Sequence, residues 1–584
     1  MKMLRTLAVA FVGTASIPAV AQAWDRSTGS PYSSATAAAL DPLGNVVAGG
    51  SIKNQFAVTK LATGNGATLW KQRVHVSDAP SGGFVHAVAT DSVGDVLCTG
   101  EFAFNNPLAT QFAIVKLSGT AGTEVWRRTY DDTVSTFADG YAVAADSAGD
   151  VIAGGSAGAF TVVKLAGATG SELWRYDTNG SHAGVFNQAL ALAIDAAGDV
   201  IAAGQLSEVT TDWDLFVVKL SGMTGGELWR QQYAGTADQL DRANAVGVDA
   251  NGDVIVGGVV KTVPNDCFVA KFSGATGMEM WRWEDGASCL GTAIDGNGDV
   301  VTAGYAGGPN AVVFVAKLSS ATGLEQWRAQ RDFGPGAWDS AASVRVDPAG
   351  DVVAGGQVQG GKFALFKFSG TTGADLWRYE LNRSGITFRA AAVVLDTAGN
   401  AFGVGQAGRS GGQFTVVKAS EKLSGRFLDV HATPGSASTA RLRVTSKDRG
   451  VLASAPGGSA DPRFTGAVLE LINPTTGETE SISLPGVNWD LGSPPARPVR
   501  YSYHDGSNAP GTCATLKLET GRGLRASCRT ASFTLDEATQ GSLAVRLTVG
   551  GARYCALFGG SVASDAPGAF MAENAPVPLV CPGP

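Results

Sequence analysis

The sequence predicts an all-β protein: an eight-bladed β-propeller over residues 24–419, a linker at 420–437, and a disulfide-containing β-sandwich over 438–584. Three observations carry this. A unit recurs from residue 37 to 418 with a spacing of 46–55 residues between its first aspartates, a period that belongs to propellers or solenoids. Gly accounts for 78 of 584 residues while only 16% are charged, as short strands joined by tight turns require. After Lys418 the repeat gives way to alternating apolar and polar runs punctuated by Pro and Gly, the mark of half-buried strands.

Residues 1–23 read as a secretory signal peptide. Lys2 and Arg5 precede an apolar stretch from Leu7 to Val12, and Ala21-Gln22-Ala23 gives the small-residue cleavage pattern. The expectation is a secreted or periplasmic protein. No later apolar run approaches the length of a membrane span. A formal net charge of -8 and a pI near 5.3 argue against a nucleic-acid partner, which needs a basic surface.

A typical repeat reads "AVAADSAGDVIAGG", a loop, then "FTVVKLAGATGSELWR". It holds four strand-like runs, here A ("AVAAD"), B ("DVIAGG"), C ("FTVVKL") and D ("ELWR"). No segment sustains a helical period, which excludes helical solenoids. The unit's Asp stands at Asp41, Asp91, Asp146, Asp195, Asp249, Asp295, Asp347 and Asp396. Its Lys stands at Lys60, Lys116, Lys164, Lys219, Lys271, Lys317, Lys367 and Lys418. The Trp of strand D stands at Trp70, Trp126, Trp174, Trp229, Trp281, Trp327 and Trp377. Each Trp is expected to wedge against the neighbouring blade. Each Asp is expected to pair with the Lys or to accept the amide hydrogens of its own turn.

The eighth copy has A, B and C but lacks D. Trp24-Asp25-Arg26 reads as the missing D strand, and its pairing with copy eight would close the ring and hide two edges. Seven blades, with copy eight as a linker, is the alternative count.

The alternation "AVAADSAGDVIAGG…FTVVKL" resembles the secreted bacterial SBBP-type β-propeller repeats. The strings "GATGSELWR", "GMTGGELWR" and "GATGMEMWR" resemble the Thr-Gly…Trp docking motif of quinoprotein (PQQ-type) propellers. The resemblance covers roughly residues 24–422 and implies the fold. It also brings pyrroloquinoline quinone and calcium into view, yet the chain departs from the quinoproteins at the relevant places. No two Cys are adjacent, and the short copies leave little room for loops carrying calcium ligands and a catalytic Asp. No cofactor is expected. "DANGD" (Asp249–Asp253) and "DGNGD" (Asp295–Asp299) resemble the start of a calcium loop, but position twelve holds Val260 and Ala306 where a Glu is needed. They read as hairpin turns.

The B–C and D–A connections vary most and share one face, where propellers place recognition. Residues just before strand A should ring the channel mouth on that face. They are His86, Asp139, Asn187, Gln188, Asp241, Arg242, Asp339 and Arg389. No His pair with metal-ligand spacing, P-loop or GxSxG elbow occurs.

In an oxidising compartment six of the seven Cys read as disulfide candidates. Cys513 and Cys528 flank a hairpin around Gly521. Cys555 with Cys581 follows by elimination, although four Cys allow other pairings. Cys267 and Cys289 form a candidate pair inside the repeats, and Cys98 reads as a buried free thiol. The C-terminal runs "ARLRVTS", "AVLELINP", "ESISLPG", "VRYSYHD", "ATLKLE", "GSLAVRLTVG" and "RYCALFGG" suggest the sandwich. The expected function is a secreted, monomeric, non-enzymatic binding or scaffold protein that recognises a protein, glycan or surface component through its variable-loop face. A divergent quinoprotein-like oxidoreductase or a channel-mouth hydrolase is the alternative.

Overall fold

The computed structural model describes residues 24–578 apart from 29, 75–81, 106–107, 133–136, 183–185, 210–211, 236–238, 262–266, 309, 334–337, 359–360, 382–388, 408–411, 420–422, 424, 433–438, 448–460, 493–498, 520–521, 550–551, 560, 576–577. The expected signal peptide, residues 1–23, and Cys581 lie outside the described residues.

The described strands between Trp24 and Ala419 fall into eight antiparallel sheets built on four strands in the order A-B-C-D. This is a β-propeller. A strands of neighbouring sheets touch one another, so A is innermost. Strands B and C are buried along nearly their whole length, as in Val151–Ser156 and Phe160–Leu165. They lie between two packed sheets, which is why they read as continuous apolar or small runs rather than alternating ones. The outermost strand alternates, as in Glu172–Thr178, where Trp174 is buried between exposed neighbours.

Strand D of the last sheet is Trp24–Ser27. It pairs antiparallel with Phe414–Ala419, setting Trp24 opposite Lys418. The other seven copies place their own Trp opposite their own Lys in the same way, for example Lys164 opposite Trp174. One apolar cluster joins the last sheet to the first: Phe402, Val404 and Val416 meet Ala35, Val46 and Ile52, with Trp24 among them.

The repeated residues are structural. Seven indoles, those of Trp24, Trp70, Trp126, Trp174, Trp229, Trp281 and Trp327, each lie over the glycine of the next C–D turn and donate Nε1 to a carbonyl at the head of that turn. Trp126 donates to Gly167 at 3.0 Å. Gly170 sits at φ +67°, and a Cβ there would meet the Trp126 ring at 2.7 Å. Both the backbone and the indole therefore demand glycine. The expected Asp–Lys pairs form in seven copies, with Nζ–Oδ2 distances of 2.7–2.9 Å. The same aspartates also cap their turns: Asp249 Oδ1 accepts from the amides of Asn251 and Asp253, both at 2.9 Å. In "DANGD", Lys271 thus stands where a cation would. In the eighth copy Asp396 accepts instead from Asn400 Nδ2 at 2.7 Å.

Cys267 and Cys289 are bonded and join strand C of copy five to strand A of copy six. Cys513 and Cys528 are bonded directly across a strand pair. Cys555 is also disulfide-bonded. Cys98 is free and buried, and burial pushes its thiol far up.

Beyond Ala419 the expectation of a linker at 420–437 needs correction. Gly425–Ala432 is a strand that pairs with Ala440–Ser446 on one side and Ala569–Ala575 on the other. Its alternation buries Leu428 and Val430, a period-two signal in "GRFLDVHA". This strand belongs to an eight-stranded sheet. A second sheet has four strands, in the order Thr479–Leu484, Ala467–Ile472, Leu543–Val549, Ala552–Phe558. The two sheets share a core that includes Leu442, Tyr501 and Leu516 from one and Leu469, Ile482 and Leu547 from the other. Among the described residues, no helix is long and apolar enough to cross a membrane.

Candidate functional site

Every strand A carries a bulge at one equivalent position. The skipped residues are Thr36, His86, Tyr141, Leu190, Asn244, Leu290, Ala342 and Ala391. A bulge leaves one residue unpaired and turns its side chain in a new direction. The bulge pushes a strand-A carbonyl against strand B, and only glycine has room to face it. A Cβ on Gly100 would lie 1.9 Å from the Phe84 carbonyl oxygen, and one on Gly155 would lie 2.2 Å from that of Asp139. Gly50, Gly204, Gly258, Gly304, Gly356 and Gly405 stand in the same place in the other copies.

In copies two and three the bulged residues are His86 and Tyr141, and a polar cluster forms around them. The imidazole of His86 lies 5.2 Å from the Phe84 ring and 5.4 Å from the Tyr141 ring. Tyr141 donates its hydroxyl to Asp139 Oδ2 at 3.1 Å and accepts from Gln188 Nε2 at 3.0 Å. Glu101, within strand B of copy two (Val96–Asn105), completes the group. One ligand atom each from His86, Glu101 and Asp139 lie within 4.8 Å of one another. Burial first, then a hydrogen bond and the negative charge of Asp139, push Glu101 up to about 8. Burial lowers His86 against the pull of Asp139. Burial, helped by Asp139 and Glu101, drives Tyr141 far up. At neutral pH the cluster holds a protonated carboxyl able to donate, a neutral imidazole and a phenol.

Of the eight residues expected at the channel mouth, His86, Asp139 and Gln188 come together here. Three others do not join them and serve their own loops. Asn187 is buried and accepts from the amides of Gly180 at 3.3 Å and Ser207 at 2.8 Å. Asp241 is buried and accepts from the amides of Lys261 at 2.6 Å and of Gly235, and burial raises its carboxyl. Asp339 is buried and accepts from the amide of Phe333 at 2.9 Å. A residue just before strand A turns back into the D–A connection, so its carboxylate or amide pins backbone rather than facing the channel. Arg242 and Arg389 begin strand A in copies five and eight, away from the cluster.

Sequence reasoning missed Glu101. Its column holds Ser51, Ser156, Gln205, Gln357 and Gln406 in other copies, so a lone carboxylate there was the available signal. It also missed a set of exposed aromatics four positions before the bulged residue of strand A: Tyr32, Phe137, Phe186 and Trp338. Two of them are held in place from strand B. Gln205 Nε2 donates to the Phe186 carbonyl at 3.0 Å, and Gln357 Nε2 to the Trp338 carbonyl at 3.3 Å.

The residues of the cluster do not fit pyrroloquinoline quinone. That cofactor is itself a polycarboxylate, and the cluster offers it Asp139, which would oppose its charge, with no Lys or Arg among its members to offset that.

Residues 54–263 match the family model described as outer membrane protein assembly factor BamB. Among curated proteins no sequence matches. Among solved structures, BamB from Moraxella catarrhalis is 14% identical with a TM-score of 0.44, covering 68% of this chain and 99% of that one. The quinohemoprotein alcohol dehydrogenase from Comamonas testosteroni is 12% identical with a TM-score of 0.45, covering 68% and 76%. A europium-containing methanol dehydrogenase is 13% identical with a TM-score of 0.48, covering 68% and 85%. With its Thr-Gly…Trp turns and its A-B-C-D sheets, the chain carries a PQQ-repeat-like β-propeller.

Proposed function

We propose that the chain is an exported, monomeric, non-enzymatic binding protein, built as an eight-bladed propeller joined to a C-terminal β-sandwich, that recognises a glycan on the face of its D–A connections. The observation that carries this is the aromatic set. Tyr32, Phe137, Phe186 and Trp338 are 46–65% exposed at one equivalent position in four copies. The repeated Asp, Lys and Trp residues, by contrast, are engaged in holding the fold. Sugars offer apolar C–H faces to aromatic rings and hydroxyls to amides and carboxylates, and the polar starts of strand A lie beside those rings. The joined first and last sheets support the eight-blade count, and the shared core of two sheets supports the sandwich.

The test is titration of the chain from Trp24 onward with a panel of soluble bacterial polysaccharides, read by tryptophan fluorescence and calorimetry. At least one polysaccharide should bind, and Trp338→Ala with Phe186→Ala should weaken it at least about tenfold, since aromatic anchors dominate such interfaces. Binding to none of the panel, or binding unchanged in the double variant, would count against this reading.

A further inference from the structure

The buried aspartates that recur in the repeat have a consistent partner. Asp41, Asp91, Asp249 and their equivalents each face a Lys. Glu101 and Asp139 depart from that pattern. The charged and titrating groups acting on Glu101, His86 and Tyr141 are members of the cluster itself, with no Lys or Arg among them. Asp139 Oδ1 is fully buried and has no hydrogen-bond partner among the described residues. A buried acceptor left without a donor is destabilising. Two carboxyl groups and an imidazole nitrogen drawn together without a neighbouring Lys or Arg form a donor set that a cation can fill in place of a proton.

We propose that His86, Glu101 and Asp139 bind one divalent transition-metal cation of the Zn²⁺ or Mn²⁺ class. All three donors lie within 4.8 Å of one another, and side-chain shifts of about half an ångström bring them within the span of two metal–ligand bonds of about 2.0–2.2 Å. The donor set decides the class. One nitrogen and two oxygens suit a borderline metal, whereas Ca²⁺ takes six to eight oxygens. Tyr141 acts on the metal only through Asp139, which its hydroxyl orients, and Gln188 in turn orients Tyr141. Such outer partners fix the first ligands in place. Three protein donors leave at least one position open to water or to a group on a ligand. The site comes from neighbouring copies two and three, so the metal would also tie adjacent sheets together. This inference stands apart from glycan recognition, because it uses none of the exposed aromatics.

The experiment uses the full chain from Trp24 onward, stripped with a chelator, desalted and titrated with Zn²⁺ by calorimetry, with native mass spectrometry reading the stoichiometry. One equivalent should bind. Glu101→Gln, nearly the same shape, should weaken it about 10–100-fold, and His86→Gln should do the same. His182→Gln, an exposed histidine elsewhere, should leave it unchanged. Co²⁺ bound at the same site should lose its visible spectrum in His86→Gln. Circular dichroism checks that each variant folds, and Glu101→Gln alone decides if His86→Gln does not. No stoichiometric binding to the parent chain, or unchanged binding in Glu101→Gln, would overturn the proposal and leave a proton shared by the two carboxyls as the source of their approach. Tighter binding of Ca²⁺ than of Zn²⁺ would overturn the metal class.

Discussion

Trp24 and Lys418 stand opposite each other across a strand pair and donate to the same acceptor, the carbonyl of Thr63. The indole Nε1 reaches it at 3.0 Å and the ammonium Nζ at 3.4 Å. Inside the repeat, Trp70 and Lys60 share the Gly119 carbonyl in the same way, at 3.0 and 2.7 Å. The two ends of the propeller segment therefore reproduce the contact that copies one to six make with their successors.

This equivalence predicts equal energetics. Trp24→Ala should destabilise the propeller as much as Trp174→Ala does, about 3–5 kcal/mol each, because both indoles are about equally buried and cover a glycine of the next turn. Urea unfolding followed by far-UV circular dichroism measures both. A loss for Trp24→Ala under about 1 kcal/mol would separate the N-terminal strand from the others.

Two turn glycines of similar φ should respond differently to alanine. Gly149, at φ +83°, has nothing within 4 Å of a Cβ, so Gly149→Ala should cost only the backbone strain, about 1 kcal/mol. Gly170→Ala adds a collision with Trp126 and should cost at least about 1 kcal/mol more. Denaturation midpoints of the two variants test the difference.

The buried ion pairs give a pH dependence. Burial raises Asp41, Asp195 and Asp249, but their Lys partners and the amides of their turns outweigh it, and each carboxyl lies below its ordinary value of 3.8. A folded value below the unfolded one contributes stability that is fully present above about pH 4 and lost as pH falls through the folded value. Unfolding free energy should therefore drop steeply below about pH 4. Lys271→Met, which leaves Asp249 without its cation, should cost about 3–5 kcal/mol at neutral pH, and adding Asp249→Asn should restore part of it.

The Cys267–Cys289 bond closes a loop with a sequence separation of 22 and fastens copy five to copy six. Replacing both with Ala should cost about 2–4 kcal/mol. Limited proteolysis of the double variant should show earlier cleavage between these copies than in the parent. An unchanged digestion pattern would mean that the apolar contact between the sheets suffices.

Much of this architecture is legible in the sequence because it is repeated. Trp126, Lys164 and Asp146 recur at fixed places, and residues repeated in every copy do what every copy needs, which is to hold neighbours together. The strand-A bulge is also written there, in the second glycine of "AGG" at Gly155 and its equivalents, but its meaning is a contact with the Asp139 carbonyl that no local pattern reveals. The cluster is harder still. His86, Glu101 and Asp139 come from two copies and meet only because the bulge turns His86 toward the next sheet. Asn187, Asp241 and Asp339 mislead for the opposite reason. They are polar and well placed in sequence, yet each is consumed by the backbone of its own loop. Gly425–Ala432 escaped because its alternation is short and directly follows the repeat.

Closure of the ring by the N-terminal strand is the central claim, and a designed crosslink tests it most directly. Ser27 and Thr415 are register partners whose hydroxyls lie 2.9 Å apart across a sequence separation of 388. In the double variant Ser27→Cys, Thr415→Cys, mild oxidation followed by peptide mass spectrometry should recover one disulfide-linked peptide joining these positions in most molecules. A chain in which residue 27 stays unlinked to 415, or links to other cysteines instead, would contradict the closed ring.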